Sequence, residues 1–538
     1  MKKFIFILTI TFTLIFTFIF TFIFPVTSSA FAYTKYPSHQ NGYDYIVVGA
    51  GSAGSIVAAK LAKGGESVLL LEAGGDDSEP AIKDMTQYYN VAFNPFSYGF
   101  LNWHFVTQEQ VFVDGTGPVT FNLPQGKTLG GSHSINATAF VTGHRDDFNY
   151  IADEIGDPDW SWHSIAQYIN QLKDTLHTMT YAREQVGAQS HIESAKKVLG
   201  FTYRKDCTQG RQNGICPTVW TGQEGSNGGI RSTSYGAFVR PLLGKSKSKI
   251  NLVSLTFHRV DKVNFDLNDP SRAVGVSALN TRTNIQTEFT ANKGVIISAG
   301  AYQSPKILLL SGIGPRDELE AHGITVRNEL QGVGKNLRDH YGVSTFWKHE
   351  NLGVSSPFLF NQPSLNLFGP EKTQATTYQF EISGGYGSVV PLKATSVGEV
   401  LLASANPEDY PLIDPKVLST QADLDMLVTG VKDYLLPFFG DLVQKNIYSA
   451  ISISPLATEQ EIVDFVRENT ESKHHPVGTA KVGTHDDPFA VIDNNFVVIG
   501  TDNLRVVDAS VFPLAPSGNI NTPVMAIALL AADKILDD

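Results

Sequence analysis

YDYIVVGAGSAGSIVAAKLA at 43–62, followed by LLLEAG at 69–74, decides the fold. Residues 43–48 form a short apolar, β-branched run, the pattern of a buried strand. Gly49, Gly51 and Gly54 follow at once, 55–62 has helical composition, and 67–71 is a second apolar run ending at Glu72. Strand, glycine loop, helix and strand within about thirty residues make the βαβ unit of a dinucleotide-binding sheet. The glycines have separate jobs: Gly49 permits the tight turn, Gly51 lets a pyrophosphate approach the backbone, and Gly54 lets helix pack on strand. The helix start at Ser52 and Ala53 offers free N–H groups and a partial positive charge to phosphates. Glu72 lies 18 residues beyond Gly54, where a carboxylate holds the adenosine ribose hydroxyls and repels a 2′-phosphate. The pattern disfavours NADP but does not separate FAD from NAD.

Further buried strands are expected at 294–298 and 504–508, and strands across 253–290 with a turn at Asn268-Asp269-Pro270. Helices are expected at 160–172, from 304 to 311, at 421–439, at 458–469 and at 524–536, and aromatic strands at 341–395. Residues 73–125 read as irregular cover over a ligand, and 203–230 as a polar surface excursion. The nucleotide-binding strands are scattered along the chain, and no repeat or linker divides it. The expected class is therefore α/β: a Rossmann-type domain interleaved with an antiparallel-sheet substrate domain built from insertions.

The 538 residues are 42% hydrophobic and 17% charged, a globular composition, and the net charge of −12 argues against a nucleic-acid partner. Lys2 and Lys3, the apolar run 4–24, Pro25 and Ala30-Phe31-Ala32 read as a signal peptide, 1–32, cut after Ala32. The run is nearly long enough to span a bilayer, so an uncleaved anchor is the alternative; cleavage implies a secreted protein without stable membrane association. Cys207 and Cys216 are the only cysteines. An oxidising compartment favours a local disulfide over two free thiols.

From Tyr43 onward the chain resembles the glucose–methanol–choline (GMC) oxidoreductases. The likeness rests on the opening segment, GKTLGGSHSINATAFVTGHRDDF at 126–148, GAYQSPKILLLSGIGP at 300–315 with GVGKNLRDH at 332–340, and HPVGTAKVG at 475–483 with the run 491–536. The ending GTDNLRVVDAS followed by SGN looks most like the flavin domain of cellobiose dehydrogenases. The resemblance implies FAD and an N-terminal GMC region at 33–340, a substrate-domain segment at 341–397, and a C-terminal region at 398–538 carrying the catalytic residues. It adds Gly131, Ser132, Asn136, Ala137, Val260, Asp508 and Ala509 to the cofactor site. Some relatives link FAD through a histidine before the Gly-Gly turn; residues 122–125 here hold none, so non-covalent FAD is expected. No metal site is expected.

Oxidising an alcohol to a carbonyl sends the hydroxyl proton to a base and a hydride to flavin N5. By the resemblance the base is His475, and its partner before the closing helix is Asn519, whose amide donates to the developing alkoxide. Asn521 is the rival, with helix capping as its other reading. His474, just before the base, is read as ambiguous, with mere lining of the site as its plainer reading. The expected partners are a small-molecule alcohol and oxygen or another electron acceptor. The alternative function is an FAD-containing hydroxynitrile lyase, but those relatives carry His at both catalytic positions.

Two features depart from the family pattern. His133 stands where Ser, Thr or Gly is usual; it either adds charge beside the flavin or packs as a neutral side chain, the second being preferred. About sixty residues separate His340 from Gly398, so the substrate domain is trimmed and a more open pocket is expected. The sequon Asn136-Ala137-Thr138 is expected to stay unmodified, buried against FAD.

Overall fold

The computed structural model describes residues 42–180, 188–223, 229–243, 250–350, 353–354, 364–369 and 377–538. The expected signal peptide, 1–32, lies outside them. A parallel sheet runs in the spatial order Asn251–Leu255, Ser67–Leu71, Tyr43–Val48, the C-terminal end of Ile285–Ile297, and Leu504–Val506. Its central strands are largely apolar because both their faces are covered; Ile46, Val47, Leu69 and Ile296 have no solvent exposure. Helix Ser52–Lys63 packs against the closing helix Asn521–Asp537, tied at the surface by Lys60 and Asp533, 2.7 Å apart.

Register matters for the site. Leu255, Leu71, Val48, Ile297 and Val506 stand in one row across the sheet. Gly49, Glu72 and Asp508 lie one or two residues past that row, so three distant segments converge on the carboxyl edge where ligands bind in such sheets. Residues 294–298 are not a separate strand. They continue Ile285–Ile297, whose first half pairs antiparallel with Ala273–Asn280, itself paired with His258–Phe265.

The second sheet is antiparallel: Gly353–Val354, Tyr341–His349, Tyr386–Pro391, Tyr378–Ser383, Ser364–Gly369 and Gly214–Pro217, with Tyr448–Ala450 and Thr470–Ser472 also on Tyr341–His349. It has its own core, where Trp347 stacks on Phe439 at 4.5 Å. The predicted helix 421–439 forms as Gln421–Thr429 and Leu436–Gln444, joined by the π-turn Gly430–Leu435. Pro437 cannot donate back to the preceding turn, which explains the break in regular α-helix.

The reading of 203–230 as a surface excursion is corrected. Gly214–Pro217 is a fully buried strand of the second sheet, and Cys216 is only 2% exposed. The signal was missed because the strand is four residues long and flanked by polar residues. Cys207 and Cys216 form the expected disulfide, with Cα atoms 5.8 Å apart.

Candidate active site

A cavity of about 1200 Å3 opens from the glycine loop and runs to the second sheet. That exceeds the roughly 300–1,000 Å3 of ordinary ligand pockets. Its wall includes Gly49, Gly51, Ser52, Ala53 and Glu72. Gly49 has φ +96°, and a Cβ there would fall 2.5 Å from the Ser298 carbonyl. Gly54 is off the wall; its Cβ would strike the Gly49 carbonyl at 2.0 Å, so its job is helix packing, as expected. Gly51 differs: a Cβ there would meet nothing nearer than the Gly131 Cα at 3.9 Å. No side chain caps helix Ser52–Lys63, so its first N–H groups have no intrahelical or side-chain acceptor.

Glu72 accepts the N–H of Ala50 through Oε2 and that of Gly74 through Oε1, both at 2.9 Å. Burial pushes its carboxyl up to about 7, against the pull of those N–H groups and Lys127. Each oxygen keeps a second lone pair for a ribose hydroxyl. The glycine cradle, the uncapped helix start and this carboxylate together fit the diphosphate and adenosine ribose of FAD.

Gly131, Ser132, Asn136 and Ala137 also line the cavity. Buried Arg231 fixes this turn, donating to the Asn136 and His133 carbonyls and to Asn136 Oδ1. His133 is off the wall. Its Nδ1 accepts the Ser234 N–H, its Nε2 meets Thr221 Oγ1 at 3.1 Å, and burial lowers its pKa to about 3. It is the neutral packing residue. Asn136 of the sequon is half-buried on the cavity wall. Val260, Asp508 and Ala509 line the wall too. Asp508, however, is engaged by four protein donors: Gly300 N–H, the Ser304 hydroxyl, and the N–H and hydroxyl of Ser510. It braces the loop before helix Gly300–Leu310.

His475 and Asn519 meet on the same cavity, with His475 Nε2 and Asn519 Nδ2 3.1 Å apart. Gln379 Nε2 donates to Asn519 Oδ1 at 3.0 Å, which turns the Asn519 amide nitrogen toward the imidazole. That nitrogen donates, so His475 Nε2 is the unprotonated acceptor. The ring proton then sits on Nδ1 and donates to His340 Nδ1, 3.1 Å away. Asp339 Oδ1 accepts the backbone N–H groups of His475 and His340, fixing the segment. Burial, reinforced by His340, His474 and Lys473, holds the His475 pKa well below 6.5. Asn521 is excluded from this pair: its Oδ1 accepts the Ser52 hydroxyl at 2.6 Å, pinning the closing helix to the glycine loop.

His474 adopts φ +62° and lines the cavity, with its ring 5.3 Å from that of Phe93 and its pKa lowered by burial to about 4. Lys473 donates to Glu471 at 2.7 Å and Ser344 at 3.0 Å. Burial opposes its charge, but Tyr386, Glu471 and Glu381 more than offset that and raise its pKa. Sequence reasoning quoted His340 within GVGKNLRDH without giving it a role. Gln379, Glu381 and Lys473 carried no motif signal. No group of three or more His, Cys, Asp and Glu among the described residues is placed to hold a metal.

A dinucleotide cradle sharing one cavity with a neutral imidazole and a carboxamide defines a nucleotide-dependent oxidoreductase. The chain belongs to the GMC oxidoreductase family: the family's N-terminal domain matches residues 43–342 and its C-terminal domain 394–528. It is 34% identical to an oxygen-dependent choline dehydrogenase of Vibrio vulnificus, over 92% of this chain and 95% of that one. It is 31% identical to an alcohol dehydrogenase (acceptor) of Pseudomonas putida, over 92% and 96%. Pyridoxine 4-oxidase from Mesorbium loti shares the fold, with TM-score 0.79, 24% identity, and coverage of 91% of this chain and 98% of that one. The protein is an FAD-dependent enzyme that oxidises alcohols. Nothing in these relatives supports the lyase alternative.

Proposed function

We propose that His475 is the general base of alcohol oxidation and Asn519 the donor that holds the developing alkoxide. The observation carrying this is the contact of His475 Nε2 with Asn519 Nδ2, on the cavity that begins at the glycine loop. Bound FAD supplies the hydride acceptor. The chain's residues handle the proton. Asn519 positions the substrate oxygen beside Nε2, Nε2 takes the hydroxyl proton, and His340 steadies the ring through Nδ1. The Gly49–Gly54 loop and the first turn of its helix would hold the diphosphate, and Glu72 the ribose. His475→Ala should keep yellow, FAD-bound protein and lose roughly 10²–10⁴-fold in turnover. Unchanged turnover with an alcohol that the parent enzyme oxidises would refute the assignment.

The mature enzyme is secreted, carries FAD non-covalently, and passes electrons to oxygen or another acceptor. The support is the leader at 1–32, the absence of histidine at 122–125 where the chain lines the cavity, and the disulfide. No described helix is long and apolar enough to cross a membrane. Intact mass of denatured secreted protein should correspond to a chain starting at Tyr33 with no flavin attached. A retained leader or added flavin mass would contradict this. The likeness of the C-terminal motif to cellobiose dehydrogenase flavin domains stays a motif likeness and assigns no substrate.

A further inference from the structure

Gln379 and Glu381 lie two residues apart on strand Tyr378–Ser383, so their side chains leave the same face. Both face Asn519. Gln379 fixes its carbonyl oxygen, whereas Glu381 Oε1 lies 3.5 Å from its amide nitrogen, at the outer limit of a hydrogen bond. Glu381 Oε2 has no hydrogen bond to any described residue, and the side chain lines the cavity. Lys473 is near enough to feel this carboxylate, but its hydrogen bonds go to Glu471, Ser344 and Tyr386. A half-buried carboxylate with so few donors is costly, and an incoming donor removes that cost. His475 Nε2 and Glu381 Oε1 lie 3.1 and 3.5 Å from the same Asn519 nitrogen. Glu381 therefore borders, on the same cavity wall, the amide nitrogen that a carbinol oxygen at His475 and Asn519 would meet.

We propose that Glu381 determines specificity, selecting alcohols with a hydrogen-bond donor, a hydroxyl or an ammonium, on the carbon next to the carbinol. This rests on the placement of the reacting hydroxyl at His475 and Asn519. Burial raises the Glu381 pKa, and Lys473 and Asn519 oppose the rise.

Tertiary alcohols lack a hydrogen on the carbinol carbon and bind without reacting. Perturbation of flavin absorbance in the holoenzyme then reads affinity for 1-amino-2-methylpropan-2-ol, 2,3-dimethylbutane-2,3-diol and the donor-free 2-methylbutan-2-ol. The first two should bind roughly 10- to 100-fold more tightly than the third. Glu381→Leu should bring all three to parity. Glu381→Gln, which retains an acceptor for Asn519, should lose the preference for the amine and keep part of that for the diol. The ratio of kcat/KM for 2-aminoethanol or ethane-1,2-diol over propan-1-ol should follow the same order. A carboxylate that only steadies Asn519 would lower kcat for every alcohol alike and leave these ratios unmoved; that result overturns the proposal. So does a donor preference that survives Glu381→Leu, or its absence from the parent enzyme. The base assignment fails separately, through undiminished turnover in His475→Ala. Should the leucine variant fail to hold flavin, the glutamine variant and the parent ratios decide.

Discussion

The two ring nitrogens of His475 face different partners, and that asymmetry suits the residue to the base role proposed for it. Nδ1–H is committed to His340, so Nε2 keeps its lone pair toward Asn519 and the cavity. Without that partner, the Asn519 donor alone would set the tautomer. The pH dependence follows with a definite sign. The base works unprotonated, and burial together with His340, His474 and Lys473 holds its pKa well below 6.5. The acid limb of kcat/KM should therefore lie below 6.5, with activity flat through neutrality and lost only as pH falls through the depressed pKa. A limb centred at or above 6.5, in a profile of kcat/KM against pH, would mean that the ring is not buried as described. His133 shows the same buried, neutral condition without function, because its two nitrogens are engaged by Thr221 and Ser234 away from the cavity.

The glycine loop and its helix act as one element, yet their glycines should fail differently. Gly54→Ala places a methyl 2.0 Å from the Gly49 carbonyl, where backbone must move. The expected outcome is a loss of more than about 3 kcal/mol or no folded protein, read in thermal unfolding. Gly51→Ala meets no such clash, and Gly51 has φ −75°, which alanine adopts freely. That variant should fold with near-parent Tm but hold FAD at least about tenfold more weakly, because the methyl occupies the approach to the phosphates. Measuring flavin content and Tm for the pair separates packing from binding. Boundaries of the first βαβ unit were legible because each side chain there answers to local chemistry: Tyr43–Val48 and Ser67–Leu71 fall where the apolar runs predict. The strand Gly214–Pro217 was not legible. It is held by pairing with Ser364–Gly369, 147 or more residues away, and its own four residues carry too little pattern to announce burial.

Among the described residues, the two largest hydrophobic cores, one under each sheet, both contribute to the cavity wall. The Cys207–Cys216 bridge ties the segment entering Gly214–Pro217 to that edge of the second sheet. Closing a loop of this size limits the unfolded chain by about 2–3 kcal/mol. Reduction should therefore lower the melting temperature while leaving flavin content at 20 °C or so unchanged, since no cofactor-site residue lies on that segment. Loss of flavin on reduction alone would show that the two sheets are more tightly coupled than their separate cores suggest.

The sequence by itself determined the dinucleotide fold and the family, and it singled out His475 while leaving Asn519 with Asn521 as a rival, because glycine spacing and motif order encode backbone geometry that few other residues allow. The tertiary structure alone decided which nitrogen of His475 is free, that Asn519 rather than Asn521 stands beside it, and that Glu381 shares the amide. Those facts depend on side chains from strands and loops up to 140 residues apart meeting at angstrom distances. Hydrogen-bond direction and burial arise only once the two sheets have closed on one another, and no local pattern of residues contains them.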